Sequence, residues 1–239
     1  MGADGLRSWT VRAVNLPEHA GNSIHTDAGA RAAGFPAALV AGVTTYAYLT
    51  HPPAAGWGLE WVASGGGEVR FRSPVFDGDE VVCAPTVDDD GQRIDAVVGG
   101  ATRATLRAWR DGVPVPAPRD GEELPPRRIQ LTGHWGADYG ERAGDDLDLY
   151  ARHGIVHPAV WPSLANNVVH TSLARGSWIH VRSRIDHHAT APAGAWADVR
   201  SVVVDRFHRS GERAVLDVRI EVDGQLVATL EHEAIIALR

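Results

Sequence analysis

Two stretches of this chain carry the same signals in the same order, and that repetition limits the folds open to it more than any other feature. Ala30-Arg31-Ala32-Ala33-Gly34 matches Ala151-Arg152-His153-Gly154 with one gap. Pro36-Ala37 matches Pro158-Ala159, Val69-Arg70-Phe71-Arg72 matches Val181-Arg182-Ser183-Arg184, and Gly91-Gln92-Arg93 matches Gly211-Glu212-Arg213. Each match is weak alone, but their shared order points to an internal duplication. In the first copy a strand-like run, Trp9 to Leu16, precedes a polar stretch and a short helical segment, Thr26 to Ala33. Leu39 to His51 is almost wholly apolar and too long for a usual strand, so a buried helix is expected, stopped by Pro52-Pro53. A short helix at Trp57 to Ala63 follows, then period-two strands at Glu68–Val75, Glu80–Val87, Ile94–Val98 and Ala104–Arg110. The second copy offers a strand at Arg128–Thr132, a helical turn at Leu147–Arg152 and an amphipathic helix near Trp161–Leu173. Four more strands are expected at Trp178–Asp186, Ala197–Arg206, Arg213–Val222 and Gln225–Leu238.

Between the copies, residues 113–126 are rich in proline and charge and read as an extended linker. The expected division is residues 1–112, the linker, and residues 127–239. A unit of one strand, one apolar helix and four strands has one good burial solution. An antiparallel sheet curls around the helix, which covers one sheet face. This is the hotdog arrangement. Two copies can pair their sheets edge to edge, which protects exposed edges. The expected fold class is therefore α+β, a double hotdog in one chain.

Composition narrows the chemistry. All 23 cationic side chains are arginine, and with 30 carboxylates the formal charge is −7. Without lysine there is no Schiff-base chemistry, no pyridoxal anchor and no Walker A loop. The single cysteine, Cys83, excludes an internal disulfide and a cysteine-built zinc site, and its place in a strand suggests a small core residue. No apolar run approaches the roughly 18 residues of a membrane span. Met1 to Asn15 lacks a secretory pattern, and an acidic chain without a basic stretch is a poor nucleic-acid binder. The expectation is a cytoplasmic protein acting on a small molecule, with no membrane or nucleic-acid partner.

One motif suggests what that molecule is. The stretch Glu18-His19-Ala20-Gly21-Asn22-Ser23-Ile24-His25-Thr26-Asp27 resembles the hydratase motif of MaoC-like, R-specific enoyl-CoA hydratases, Asp-x-Asn-x-aliphatic-His. Asn22, Ile24 and His25 match it residue by residue, and Gly34-Phe35 and Ala41-Gly42 resemble the family downstream. The resemblance implies His25 as base, Asn22 as orienter of substrate or water, and the Gly42 N–H as donor to the thioester oxygen. Histidine suits a base working near neutral pH, and an N–H at a helix N-terminus can stabilise a developing enolate. The implied substrate is an acyl thioester of coenzyme A or an acyl carrier protein, with no metal or other cofactor. The motif's acid position is Ala20 here, and Arg31 stands where the family has a small residue. Glu18, two residues upstream, is the candidate replacement acid, with Asp27, two residues beyond His25, as the other possible carboxylate.

The second copy lacks Asn-x-x-His. It carries Asn166 inside its helix and His157 ahead of it. Asn166, His157 and Tyr46 are the candidate substrate contacts. Three functions remain open: a hydratase or dehydratase, a hotdog thioesterase aiming water at the carbonyl, or a non-catalytic acyl-binding or partner subunit. The assembly is a monomer or a homodimer of double hotdogs. Carrier phosphates would have to meet arginine, and the pairs Arg70, Arg72 and Arg182, Arg184 are candidates, with surface ion pairing as the alternative.

Overall fold

The computed structural model describes residues 5–89 and 91–238. The expected outer limits of the two units, residues 1 and 239, lie outside that range. The first half contains β1 (Trp9–Arg12), α1 (Asp27–Ala32), α2 (Gly42–Ser64), β2 (Gly66–Phe71), β3 (Glu80–Asp88), β4 (Gly91–Val98) and β5 (Ala101–Trp109). The second contains β6 (Glu122–Glu123), β7 (Arg127–Gln130), α3 (Tyr139–Ala143), α4 (Leu149–His153), α5 (Val160–Ser172), β8 (Ile179–His187), β9 (Trp196–His208), β10 (Glu212–Val222) and β11 (Gln225–Ala237).

The described strands join in one sheet, ordered β1-β3-β4-β5-β2-β8-β11-β10-β9-β6, with β7 also paired to β9. Setting β6 aside, the second half repeats the first: β7, β9, β10, β11, β8 follow the same path as β1, β3, β4, β5, β2. The seam is the antiparallel pair β2–β8, with Val69 opposite Ser183 and Arg70 opposite Arg182. Like charges directly opposite are unfavourable. Glu68 relieves this pair by accepting from both guanidiniums, at 2.7 Å from Arg70 and 3.4 Å from Arg182. The seam thus pairs one of the two edges of each half-sheet, leaving β1 and the β6–β7 side as the outer edges.

Each half-sheet is packed by its helix. Tyr46, Ala47, Tyr48 and Leu49 of α2, and Leu164, Ala165, Val168 and Val169 of α5, are fully buried in one continuous core with the inner sheet faces. Two sequence expectations about α2 need correction. The helix starts at Gly42, because Leu39 bridges to Phe76 and the Val40 N–H bonds to the Val75 carbonyl in extended form. It also runs on through Pro52-Pro53, both buried, and absorbs the expected Trp57–Ala63 helix across a kink at Gly58 (φ 67°). A helix-interior proline costs about 3 kcal/mol in isolation; here burial of nearly every residue from Val43 to Ala54 outweighs it. The break falls instead at Gly58, whose positive φ other residues rarely adopt.

Segment 113–126 runs along the second half-sheet. The Arg119 N–H donates to Asp217, Arg219 donates to the Pro116 carbonyl, and Glu122–Glu123 pair with Val202 and Val203.

Candidate active site

The motif region is built of tight turns. Pro17–Gly21 and Ser23–His25 are successive 3-10 turns that meet at Asn22. Thr26 then caps α1, its hydroxyl accepting from the Gly29 N–H, and Asp27 sits in the first turn, where the helix dipole favours a carboxylate. This geometry turns His25 inward. Its Nδ1 lies 2.8 Å from the Leu39 carbonyl oxygen. A carbonyl can only accept, so Nδ1 carries the proton and Nε2 keeps a lone pair. Burial pushes the His25 pKa down, and the Leu39 bond opposes that only in part, so the ring is neutral at pH 7.

His25, Asn22, Gly42, Asn166 and His180 line a cavity of about 310 Å³ between the two halves. A smaller cavity of about 110 Å³ adjoins it and shares Asn22, His25 and Asn166. Gly42 is the first residue of α2, so its N–H is among those left without an intrahelical acceptor. A Cβ at Gly42 would stand 3.3 Å from Phe71 and 3.4 Å from His180 Nδ1, so glycine here keeps the helix terminus and that imidazole uncovered.

The other expected residues divide. Asn166 reaches both cavities, and among the described residues its buried Oδ1 has no hydrogen-bond partner, which leaves an acceptor for a ligand. Asn22 lines both cavities as well, but its amide is occupied. Nδ2 donates to the Trp178 carbonyl at 2.9 Å and Oδ1 accepts from the Trp178 N–H at 3.4 Å. It ties the motif loop to the second half and supports the wall beside His25. Glu18 is paired with Arg142 at 2.5 Å. Burial alone would raise its pKa, but the Arg142 bond, a backbone hydrogen bond, and the charges of Arg142 and His19 together offset that and hold it below the usual value. An ionised, ion-paired Glu18 is no proton donor at neutral pH, which corrects its expected role as replacement acid.

His157 and Tyr46 need correction too. Neither lines the cavities. His157 is fully buried just ahead of α5, accepting from the Ala159 N–H at Nδ1 and meeting Asp145 at 3.2 Å through Nε2. Tyr46 is fully buried on the sheet-facing side of α2, and burial raises its pKa strongly. Both were drawn toward the site by chain position, and packing turns them into the core. Cys83 is core, as expected. It is buried, with its thiol against the Tyr48 carbonyl, and burial pushes its pKa up to about 12. His153 and His157 share no helix face, because α4 ends at His153 and Gly154 takes a left-handed conformation.

The arginine pairs are mostly spoken for. Arg182 contacts Glu68, Glu231 and Glu233. Arg184 pairs with Asp186 and lies over the Trp109 ring. Arg70 pairs with Glu68. Only Arg72 of the four lines the large cavity; it is exposed, and among the described residues its side chain makes no ion pair or hydrogen bond.

One group was missed from the sequence. His180, Ser183 and His232 form a buried chain, with His180 Nε2 at 2.7 Å from Ser183 Oγ and Ser183 Oγ at 2.8 Å from His232 Nδ1. Strict alternation along a strand would put residues 180 and 183 on opposite faces. A register shift in the β8–β11 pairing, between Glu233 and Ala234, leaves Val181 as an extra residue and returns His180 and Ser183 to one side. No local pattern announces such a bulge, so the regular-strand expectation for Trp178–Asp186 hid it.

Comparison with known proteins places this architecture. Three solved structures illustrate it. A protein described as a MaoC-domain dehydratase, from Chloroflexus aurantiacus, aligns over 98% of this chain and 95% of its own, with TM-score 0.67 and 12% identity. A conserved protein of Mycobacterium tuberculosis, described as having a double hotdog fold, aligns over 96% of both chains, with TM-score 0.65 and 13% identity. The chain folds as a double hotdog. An acyl-CoA thioesterase II of Mycobacterium marinum shares the architecture at TM-score 0.52 and 11% identity, over 82% of this chain and 90% of its own. No family model and no curated protein sequence matches the chain. Among the described residues, no helix is long and apolar enough to cross a membrane.

Proposed function

We propose that this double hotdog processes acyl thioesters, and that its reaction is the interconversion of trans-2-enoyl and 3-hydroxyacyl thioesters. The observation that carries this reading is the pairing of the His25 Nε2 lone pair with the α2 N-terminus at Gly42 in one cavity. In hydration, His25 takes a proton from water as the oxygen bonds to C3 of the substrate. The electron pair moves into the thioester, and the Gly42 N–H stabilises the enolate oxygen. The enolate then takes the proton back from His25 at C2, so one water is added and the base is regenerated. Dehydration is the reverse. Coenzyme A or an acyl carrier protein carries the acyl group, and no metal or redox cofactor takes part.

A second reading has its own support. Among the described residues no carboxylate is hydrogen-bonded to His25: the motif's acid position is Ala20, and Glu18 is bound to Arg142. The same base and oxyanion donor suit hydrolysis, in which water attacks the thioester carbonyl and free thiol leaves. Structures described as dehydratases and as thioesterases share this fold.

Turnover of enoyl and saturated acyl-CoA thioesters, from four-carbon to long chains, separates these readings. We expect loss of the enoyl absorbance without thiol release, and a fall of about 100-fold or more in His25→Ala, as for loss of a general base. Thiol release from saturated thioesters with enoyl groups untouched assigns hydrolysis instead. No turnover at any chain length overturns both and leaves acyl binding alone.

A further inference from the structure

In the proposed reaction the Gly42 N–H holds the thioester oxygen, and a second donor at that oxygen would add to the stabilisation of the enolate. The wall facing that amide comes from the second half. His180 is 6% exposed, lines the same cavity as His25 and Gly42, and among the described residues its Nδ1 has no hydrogen-bond partner. That nitrogen would stand 3.4 Å from a Cβ at Gly42, so it lies beside the helix terminus.

The buried chain behind His180 decides which hydrogen Nδ1 holds. The Ser183 hydroxyl has one proton and sits between two ring nitrogens, His180 Nε2 and His232 Nδ1. If Ser183 donates to His232, then His180 must carry its proton on Nε2, and His232 is left with an N–H on its far nitrogen. If Ser183 donates to His180, then His232 donates from Nδ1, its Nε2 is bare, and His180 carries its proton on Nδ1. His232 Nε2 is fully buried with no partner, and the nearby Arg182 cation acts on this ring. An orphaned N–H there would lack an acceptor and meet a positive field. Among the described residues either arrangement leaves one buried N–H without a protein acceptor, on His232 Nε2 or on His180 Nδ1; the Arg182 cation disfavours it on His232, and on His180 it lies on a residue that lines the cavity, where a ligand oxygen can accept it.

We infer that His180 is a second oxyanion donor, a neutral imidazole whose Nδ1–H points with the Gly42 N–H at the thioester oxygen. Ser183 and His232 are positioning residues that hold its tautomer. Burial, with His232 second, drives the His180 pKa well below the usual value, against a smaller opposing effect of the Arg182 backbone, so the ring stays neutral while it donates. The pocket is then a composite. The first half supplies the base and the helix terminus, and the second supplies the other donor, which gives the degenerate copy a role. The inference rests on the acyl-thioester reading above.

Two measurements test it. Nitrogen-15 NMR of the whole wild-type protein near pH 7 should show His180 neutral and protonated on Nδ1; protonation on Nε2 overturns the inference. Ser183→Ala should release that preference, whereas an unchanged tautomer removes Ser183 and His232 from the account. In kinetics, His180→Asn should lower kcat by about 100-fold, as for loss of one oxyanion donor, with a much smaller change in KM and no shift of the acid limb set by His25. A folded His180→Asn protein that retains kcat within about threefold also overturns it. A wild type inactive on every thioester refutes the functional reading instead, and the tautomer is still judged by NMR.

Discussion

Acidification should destabilise this protein well above the range in which carboxylates titrate, because its core holds neutral histidines. His187 and His232 are 1% and 0% exposed. Burial first pushes His187 down to about 4, against its bond to the Trp61 carbonyl and the nearby Asp186 charge. Burial and then the Arg182 charge push His232 down to about 3. In the unfolded chain both titrate near the ordinary histidine value of about 6.5. Between these limits the unfolded state binds more protons than the folded one, so stability rises with pH and is lost as pH falls. From about pH 7 to about pH 5, protonation of one unfolded histidine is worth about 2 kcal/mol, while the folded ring takes up almost none. The two together cost about 4 kcal/mol, against a typical total of about 5–15 kcal/mol. His180 acts in the same direction. It is coupled to His232 through Ser183 and so is left out of the sum. The carboxylates held low, Glu18, Asp145 and Glu231, add further loss with the same sign only at lower pH. Urea unfolding at the two pH values and constant ionic strength measures the effect, with an unchanged m-value as the check on two-state behaviour. His232→Asn, whose amide can still meet Ser183, should remove about half the loss. A midpoint that stays level or rises at pH 5 would refute the reasoning.

Other outcomes can be stated more briefly. Asn22→Ala should cost about 1–3 kcal/mol in urea unfolding, because it strands the Trp178 N–H and carbonyl at the junction of the halves. Gly42→Ala should change stability little but reduce turnover at least about tenfold, since its methyl would crowd Phe71 and screen the N–H and His180; turnover within twofold of wild type would deny that terminus a role. Arg72→Ala should raise KM for coenzyme A thioesters and leave KM for a short thioester lacking phosphates unchanged, whereas equal effects on both would remove a phosphate contact. Arg182→Ala should destabilise the fold, because Glu68, Glu231 and Glu233 lose their shared cation at the seam; an unaltered unfolding midpoint would show those contacts to be screened.

The fold was readable because burial patterns are local. Period-two runs marked the long strands, the apolar run at Leu39–His51 marked the first central helix, and ordered repeats marked the duplication. The motif likewise marked His25 and Gly42, which the structure brings to one cavity with Asn166. What failed was any inference that needed a partner from elsewhere in the chain. Glu18 is compatible with an acid in sequence, but Arg142 lies 124 residues away and neutralises that role. Arg182 likewise meets Glu68, Glu231 and Glu233 on the strands beside its own, which no local rule foretells, whereas Arg70 and Arg184 pair with carboxylates two residues away on their own strands.

The sequence by itself determined the hydrophobic periods, the duplication and the turn-rich motif, since these depend on residues near one another along the chain. The tertiary structure decided which polar side chains face the cavity and which are consumed. A bulge at Val181 turns His180 toward Gly42, and the antiparallel β2–β8 seam brings the two halves' residues together. Those outcomes depend on register and on long-range contact, where a shift of one residue reverses the face that a side chain presents.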